Sequence, residues 1–342
     1  MKRKQKITLS DIAKHLGVST VTVSKALRGQ PDISESMKKS VQATAQKMGY
    51  IPNRAASLLS SKRSNTIGLI IPKIAHSFFS SLIESIYENA RLNNYEIILT
   101  SSQEDSELQE KHLMTMISMK VDGIIISVTR DSNDKKIYDI VKANKIPIIE
   151  IDRTVDDSLT QIVFDDIGGT EKAIDHAIKL GYKKIAFVGG NHSANIGKDR
   201  LKGYMNSFKK NGLAINEKYI FEGGFKEIDG YKALKYFYEN NILPEMIFAA
   251  TYPVALGVVS AARELKLKIP RDIDLISFGD SEFNKFIKPA ISCVNQETNK
   301  MGELAVKKMI ELIESKGNSK PEKIVIESEL LIKDTCKQKV RV

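Results

Sequence analysis

From Thr66 almost to the end of the chain, short apolar runs alternate with amphipathic stretches. No other feature limits the possible folds as strongly. Ten runs read as buried strands: 66–72, 95–100, 121–128, 147–151, 161–164, 184–188, 246–250, 274–278, 292–295 and 323–326. Helical patterns fill most of the gaps, at roughly 78–93, 106–119, 133–144, 168–180, 198–211, 229–240, 254–266 and 299–315. Strands apolar at consecutive positions are covered on both faces, and the helices between them supply the crossovers that parallel strands need. The expected class is therefore α/β, with doubly wound parallel sheets. Ten strands are many for one sheet of this size, so the pattern predicts two lobes with a break near 152–165. The expected division is lobe 1 from about 66–160 plus 293–322, and lobe 2 from about 161–292 plus 323–342. Ligands of open parallel sheets bind beyond the carboxyl ends of the strands. A cleft between the lobes is thus the expected binding site.

The first 65 residues follow another grammar. Residues 7–50 pattern as three short helices. Thr8-Leu9-Ser10-Asp11 has the form of a capping box, with Asp in the place of Glu. Ile12, Ala13 and Leu16 then share a face, and Gly17 supplies a left-handed stop. Ser19 caps a second helix that turns Val23, Ala26 and Leu27 inward; Ser34 opens a third with Met37, Val41, Ala45 and Met48. After Ile51-Pro52, Arg54 to Leu59 can form a short helix, and 60–65 is a polar linker. The expected domains are a headpiece at 1–50, a hinge and linker at 51–65, and a core at 66–342.

Charge follows the same division. The chain has 52 Lys and Arg against 42 Asp and Glu, a net +10. Residues 1–65 hold 13 basic and 3 acidic residues, also net +10, which leaves 39 of each in the remainder. A basic end on a neutral body suits a polyanionic partner at that end.

Thr8 to Leu27 has helix-turn-helix character: a small Ala13 in the first helix, Gly17 in the turn, and apolar Val18 after it. The stretch Ile7–Gly29 closely resembles the headpiece of the LacI/GalR (lac-repressor-like) family of bacterial transcriptional regulators. Tyr50-Ile51-Pro52-Asn53-Arg54-Ala55-Ala56-Ser57-Leu58-Leu59 resembles the family's hinge, and Thr66–Pro72 its first core strand. Gly197–Tyr204 and Ile269–Asp280 fit later family patterns, in the same order. The resemblance spans about residues 7–330 and implies a two-lobed core like that of periplasmic binding proteins. It also implies a homodimer that binds a pseudo-palindromic double-stranded DNA operator under the control of a small effector. Thr20, Val21 and Lys25 stand where the family touches base edges. Ser19, Thr22 and Ser24 are phosphate or capping candidates. Asn53 and Arg54 fit the hinge, and Leu59 the minor-groove wedge.

Polar and aromatic residues collect at the predicted strand ends: His76, Phe78, Asp152, Arg200, Phe225 and Asp280. The resemblance implies effector contact at Arg200 and Asp280, and an arginine fork with a carboxylate suits sugar hydroxyls. Asp152 ends a strand, Phe225 offers a stacking face, and His76 and Phe78 follow the first strand. A salt bridge across the cleft is the competing role for Arg200 and Asp280. The chain departs from the family at His76-Ser77, usually Asn-Pro, and at Thr251-Tyr252, usually Asn-Asp. Ala194 and Ile196 also replace residues that are often polar. These departures leave open whether a simple sugar binds, and point to a modified or partly apolar ligand or a protein co-effector as alternatives.

Other classes fit poorly. Glu150-Ile151-Asp152-Arg153-Thr154 imitates an aspartyl-nucleophile phosphatase loop but has Glu at the nucleophile position. There is no phosphate-loop or dinucleotide glycine pattern, and the five histidines lack metalloprotease spacing. No enzyme activity, cofactor or metal is expected. Two distant cysteines, Cys293 and Cys336, fit reduced structural thiols. No apolar run approaches the about 20 residues of a membrane-spanning helix, and no secretory signal pattern follows Met1. The expected location is cytoplasmic. The rival reading is a solute-binding protein with no DNA role.

Overall fold

Each headpiece helix begins at the residue its sequence marks as a cap. In the computed structural model, which describes residues 7–51, 63–129, 136–190, 195–315 and 319–338, α1 is Leu9–Leu16, α2 Thr20–Leu27 and α3 Glu35–Met48. The Thr8 amide donates to Asp11 Oδ2 at 2.8 Å, and the Asp11 amide returns a bond to Thr8 Oγ1 at 3.3 Å. Gly17 ends α1 at φ +65°, a backbone setting that side chains with a Cβ rarely adopt. Ser19 and Ser34 accept amide hydrogen bonds at the starts of α2 and α3. Ile12, Val23, Ala26 and Val41 are fully buried at the centre of this unit. Contacts divide the chain after Ser64 into this unit and the core.

The core holds two six-stranded sheets. The first contains β1 (Thr66–Ile71), β2 (Glu96–Ser101), β3 (Gly123–Ile126), β4 (Ile148–Ile151), β5 (Thr160–Phe164) and β11 (Lys323–Ile326). Its order is β11-β5-β4-β3-β1-β2, parallel throughout. Alternate residues of β1 serve opposite layers. Ile67, Leu69 and Ile71 pack with α4 (Ser77–Leu92) and α11 (Thr298–Glu314); Ile70 faces α5 (Ser106–Ser118) and α6 (Lys136–Ala143). This two-sided burial is why β1 reads as an unbroken apolar run.

The second sheet contains β6 (Ile185–Val188), β7 (Ile220–Phe221), β8 (Met246–Ala249), β9 (Asp274–Phe278), β10 (Ser292–Asn295) and β12 (Glu329–Leu331). Its order is β12-β10-β9-β8-β6-β7, and only β12 runs antiparallel. Phe187, Phe248 and Phe278 pack under α7 (Asp166–Lys179) and α8 (Asn195–Lys210). Ala186, Val188 and Ile247 face α9 (Glu227–Glu239) and α10 (Tyr252–Glu264). The last two helices touch through glycine. A Cβ on Gly257 would stand 1.8 Å from the Glu227 carbonyl oxygen, and one on Gly230 1.9 Å from that of Val254.

The sheets correct the sequence-based division of the lobes. Residues 161–164 and 323–326 belong to the first sheet, where Lys323 pairs with Gln161. Residues 293–295 belong to the second, beside β9. Lobe 1 is therefore built from β1–β5, α4–α6, α11 and β11, and lobe 2 from α7–α10, β6–β10 and β12. The chain passes between lobes after Phe164, after Asn295 and after Ile326. The misplacement has a physical cause. Parallel strands buried on both faces carry the same apolar signature, so composition identifies a strand without identifying its neighbour.

Candidate functional site

The carboxyl ends of β1 and β4 in lobe 1 and of β8 and β9 in lobe 2 lead into one cavity of about 300 Å³. All six residues expected at an effector site line it: His76, Phe78, Asp152, Arg200, Phe225 and Asp280.

Arg200 is 2% exposed, and its charge is already paired. Nε donates to Asp166 Oδ1 at 2.7 Å and Nη1 to the Ala250 carbonyl at 2.6 Å. Its guanidinium carbon lies 3.7 Å from the Phe278 ring centre. Arg153 gives Nη1 to both oxygens of Glu104 at 2.9 Å and stands 5.6 Å from the Phe225 ring centre. Asp280 accepts from Lys333 Nζ at 2.5 Å and from Asn284 Nδ2 at 2.7 Å. Salt bridges at Arg200 and Asp280 thus exist, but each lies within lobe 2 and neither spans the cleft.

Asp152 differs. It is buried at φ +61°, a left-handed setting that Asp tolerates better than most residues, and its carboxylate accepts one long bond, from Ser127 Oγ at 3.4 Å. Burial raises its pKa, and the neighbouring arginines oppose that shift. Burial lowers His76 to about 4, and the charges of Arg153 and Lys73 act in the same direction, so its imidazole is neutral near pH 7. Three wall residues carry a buried polar atom with no partner: His76 Nδ1, Arg153 Nε and Tyr252 Oη.

Two site features escaped the sequence reading. Asn195 joins the lobes: its Oδ1 accepts from the Thr154 amide at 3.2 Å and its Nδ2 donates to the Asp152 carbonyl at 3.3 Å. Only the apolar replacements beside it, Ala194 and Ile196, drew notice to the segment. The second feature is Glu150, which is fully buried. Its carboxylate accepts from the amides of Val155 (3.1 Å) and Asp156 (3.2 Å) and from Gln161 Nε2 (3.1 Å). It thereby ties down the loop that carries Asp152 and Arg153 into the cavity. Burial raises it to about 7, against the pull of those donors. A buried anchor of this kind has no access to a substrate, which removes the resemblance to a phosphatase loop.

On the headpiece, Val21 is 60% exposed while Val23 is fully buried, so α2 presents Val21 outward. Thr20 is exposed beside it. Lys25 Nζ meets Asp32 Oδ2 at 2.5 Å on the surface. Ser19 Oγ caps α2 through the Thr22 amide at 3.0 Å and lies 2.9 Å from Thr22 Oγ1. The Ser24 carbonyl accepts from Arg28 Nε. Asn53, Arg54 and Leu59 lie outside the described residues. Among the described residues, no helix is long and apolar enough to cross a membrane. None of their His, Cys, Asp and Glu side chains form a group of three suited to a metal ion. Both cysteines are buried thiols, and burial pushes Cys293 up to about 12.

Two family models match the chain. "Bacterial regulatory proteins, lacI family" covers residues 8–53, and "Periplasmic binding proteins and sugar binding domain of LacI family" covers 64–334. Catabolite control protein A of Priestia megaterium is 30% identical over 88% of this chain and 91% of its own. The probable HTH-type transcriptional repressor ExuR of Bacillus subtilis is 29% identical over 97% of this chain and 99% of its own. The solved lac repressor dimer, bound to operator and the anti-inducer ONPF, superposes with a TM-score of 0.84 at 23% identity, covering 97% of this chain and 99% of that one. With both of its segments matched and relatives of nearly equal length, the chain belongs to the lacI family of bacterial regulatory proteins.

Proposed function

We propose that this regulator binds a pseudo-palindromic DNA operator as a homodimer in the cytoplasm, and that a small carbohydrate or sugar derivative in the cleft sets its affinity for that operator. The exposed face of α2 carries the reading: Val21 is a solvent-facing apolar side chain on a helix whose other face is packed, in a unit with net charge +10. A thymine methyl suits Val21, and guanine O6 and N7 suit Lys25 once it leaves Asp32. Ser19, Thr22 and Ser24 would position the helix against phosphates, with Asn53, Arg54 and Leu59 acting in the minor groove. The lac repressor structure pairs a dimer of this fold with operator and an anti-inducer. Repression is the mode named for the Bacillus subtilis relative, and the same mode is proposed here.

His76, Phe78, Asp152, Arg200, Phe225 and Asp280 would surround the effector. A ligand that prefers one lobe angle would shift the population of operator-competent dimers by its difference in affinity for the two states. The test joins two measurements. Duplexes selected from a random pool should bind with an affinity that falls steeply with salt, as counterion release requires. A ligand found by thermal-shift screening of sugars should then change that affinity. Failure to select any duplex would leave a solute-binding protein.

A further inference from the structure

Among the described residues, the two buried cations of the cavity wall, Arg200 and Arg153, are each already answered by a carboxylate, and half-buried Lys333 answers the wall residue Asp280. Arg200 holds Asp166 at 2.7 Å, Arg153 holds both oxygens of Glu104 at 2.9 Å, and Lys333 holds Asp280 at 2.5 Å. Among the described residues, Asp152 has no ion-pair partner, and its carboxylate accepts one long hydrogen bond, from Ser127. The three ion pairs and Asp152 thus bring three cations and four carboxylates to the wall residues and their direct partners.

Resting on the carbohydrate reading above, we propose that the cleft selects an uncharged, hydroxyl-rich ring compound and discriminates against uronates and sugar phosphates. An entering anion meets the field of Asp152 and no unanswered buried cation. Arg153 Nε can meet one oxygen of that anion, but to gain a full counter-charge the anion must displace Asp166 or Glu104 from its arginine. That leaves a carboxylate buried without its counter-charge, which costs more than the new pair returns.

An uncharged polyol escapes this cost. Its hydroxyls donate to Asp152, whose carboxylate has only the long Ser127 bond, and accept from the unpartnered Arg153 Nε and Tyr252 Oη. His76 adds no positive charge, because burial holds its imidazole neutral. Phe225 supplies a ring face at the cavity wall. Lys73 and Lys226 are exposed at the rim, where water screens them and Glu227 lines the same wall.

The test is calorimetric titration of the full chain with matched sets on one ring: glucose, glucosamine, glucuronate and glucose 6-phosphate, then the galactose, mannose and xylose counterparts, then neutral disaccharides with their oxidised acids. In the set that binds, the neutral member should bind about tenfold or more tighter than its anionic twins. Its affinity should hardly change from low to high salt. An anionic or cationic member that binds ahead of its neutral twin overturns the charge assignment and leaves the carbohydrate reading intact. Silence from every member of every set overturns both. Asp152→Asn should cost the neutral ligand about tenfold while leaving the unfolding midpoint in place. Unchanged affinity would remove Asp152 from the argument.

Discussion

Glu150→Gln isolates the proton held under the binding loop. Burial moves this carboxyl from an ordinary 4.5 to about 7 in the folded protein. A raised carboxyl pKa adds stability that is fully present below the unfolded value and is lost as pH rises through the folded one. The relevant window therefore runs from about pH 4.5 to about pH 7. Linkage between those two values gives about 2.5 kcal/mol of stability present near pH 5 and gone near pH 8. Glutamine keeps the length and one acceptor oxygen for the Val155 and Asp156 amides, but it cannot titrate. Urea unfolding of both proteins by far-UV circular dichroism, across that range, gives the difference between them. That difference should fall by about 2.5 kcal/mol in the wild type's disfavour from pH 5 to pH 8. Exchange of the Val155 and Asp156 amides should report the same loss locally, without requiring two-state unfolding. A constant difference across the window would refute the claim that Glu150 holds the proton.

Three further outcomes follow from the site. Arg200→Ala leaves Asp166 buried without its cation and should cost about 3–5 kcal/mol; a midpoint in urea close to wild type would contradict the pair's burial. Asn195→Ala removes both cross-lobe hydrogen bonds, each worth about 1 kcal/mol, and should weaken the cleft ligand about tenfold by calorimetry; unchanged affinity would mean that the bound state does not use the clasp. Lys25→Ala should cost about 1–3 kcal/mol on the selected operator and little on random duplex; equal losses in fluorescence anisotropy would reduce Lys25 to a phosphate contact.

The strands, helices and caps were legible because each depends on nearby residues. Met246–Ala249 and Asp274–Phe278 are apolar runs, and the Thr8–Asp11 box closes over three residues. Two strands escaped: Ile220–Phe221 and Glu329–Leu331 are short edge strands, only partly buried or exposed, so neither carries a buried run. Sheet membership was not legible, because it depends on partners far apart in the chain. At the site, residue types pointed to Arg200 and Asp280 but not to what holds them. Asp165 caps its helix through the Gly168 amide, and the adjacent Asp166 meets Arg200, a partner far off in the chain. Glu150 resembled a failed nucleophile because its partners are two backbone amides, which sequence does not distinguish, and Gln161 on the neighbouring strand.

The pairing of Lys323 with Gln161 also bears on how the molecule is made. A ribosome releases the first strands of lobe 1 long before β11 exists. Until β11 arrives, β5 is the open margin of a parallel sheet, with unpaired amides and carbonyls along it. Closing that margin means closing a very long loop, a slow step for a chain rich in distant contacts. The nascent regulator therefore spends most of its synthesis with one lobe unsealed. Chain ends produced by premature termination before Lys323 should be poorly soluble and targets for chaperones, even though they carry a complete headpiece.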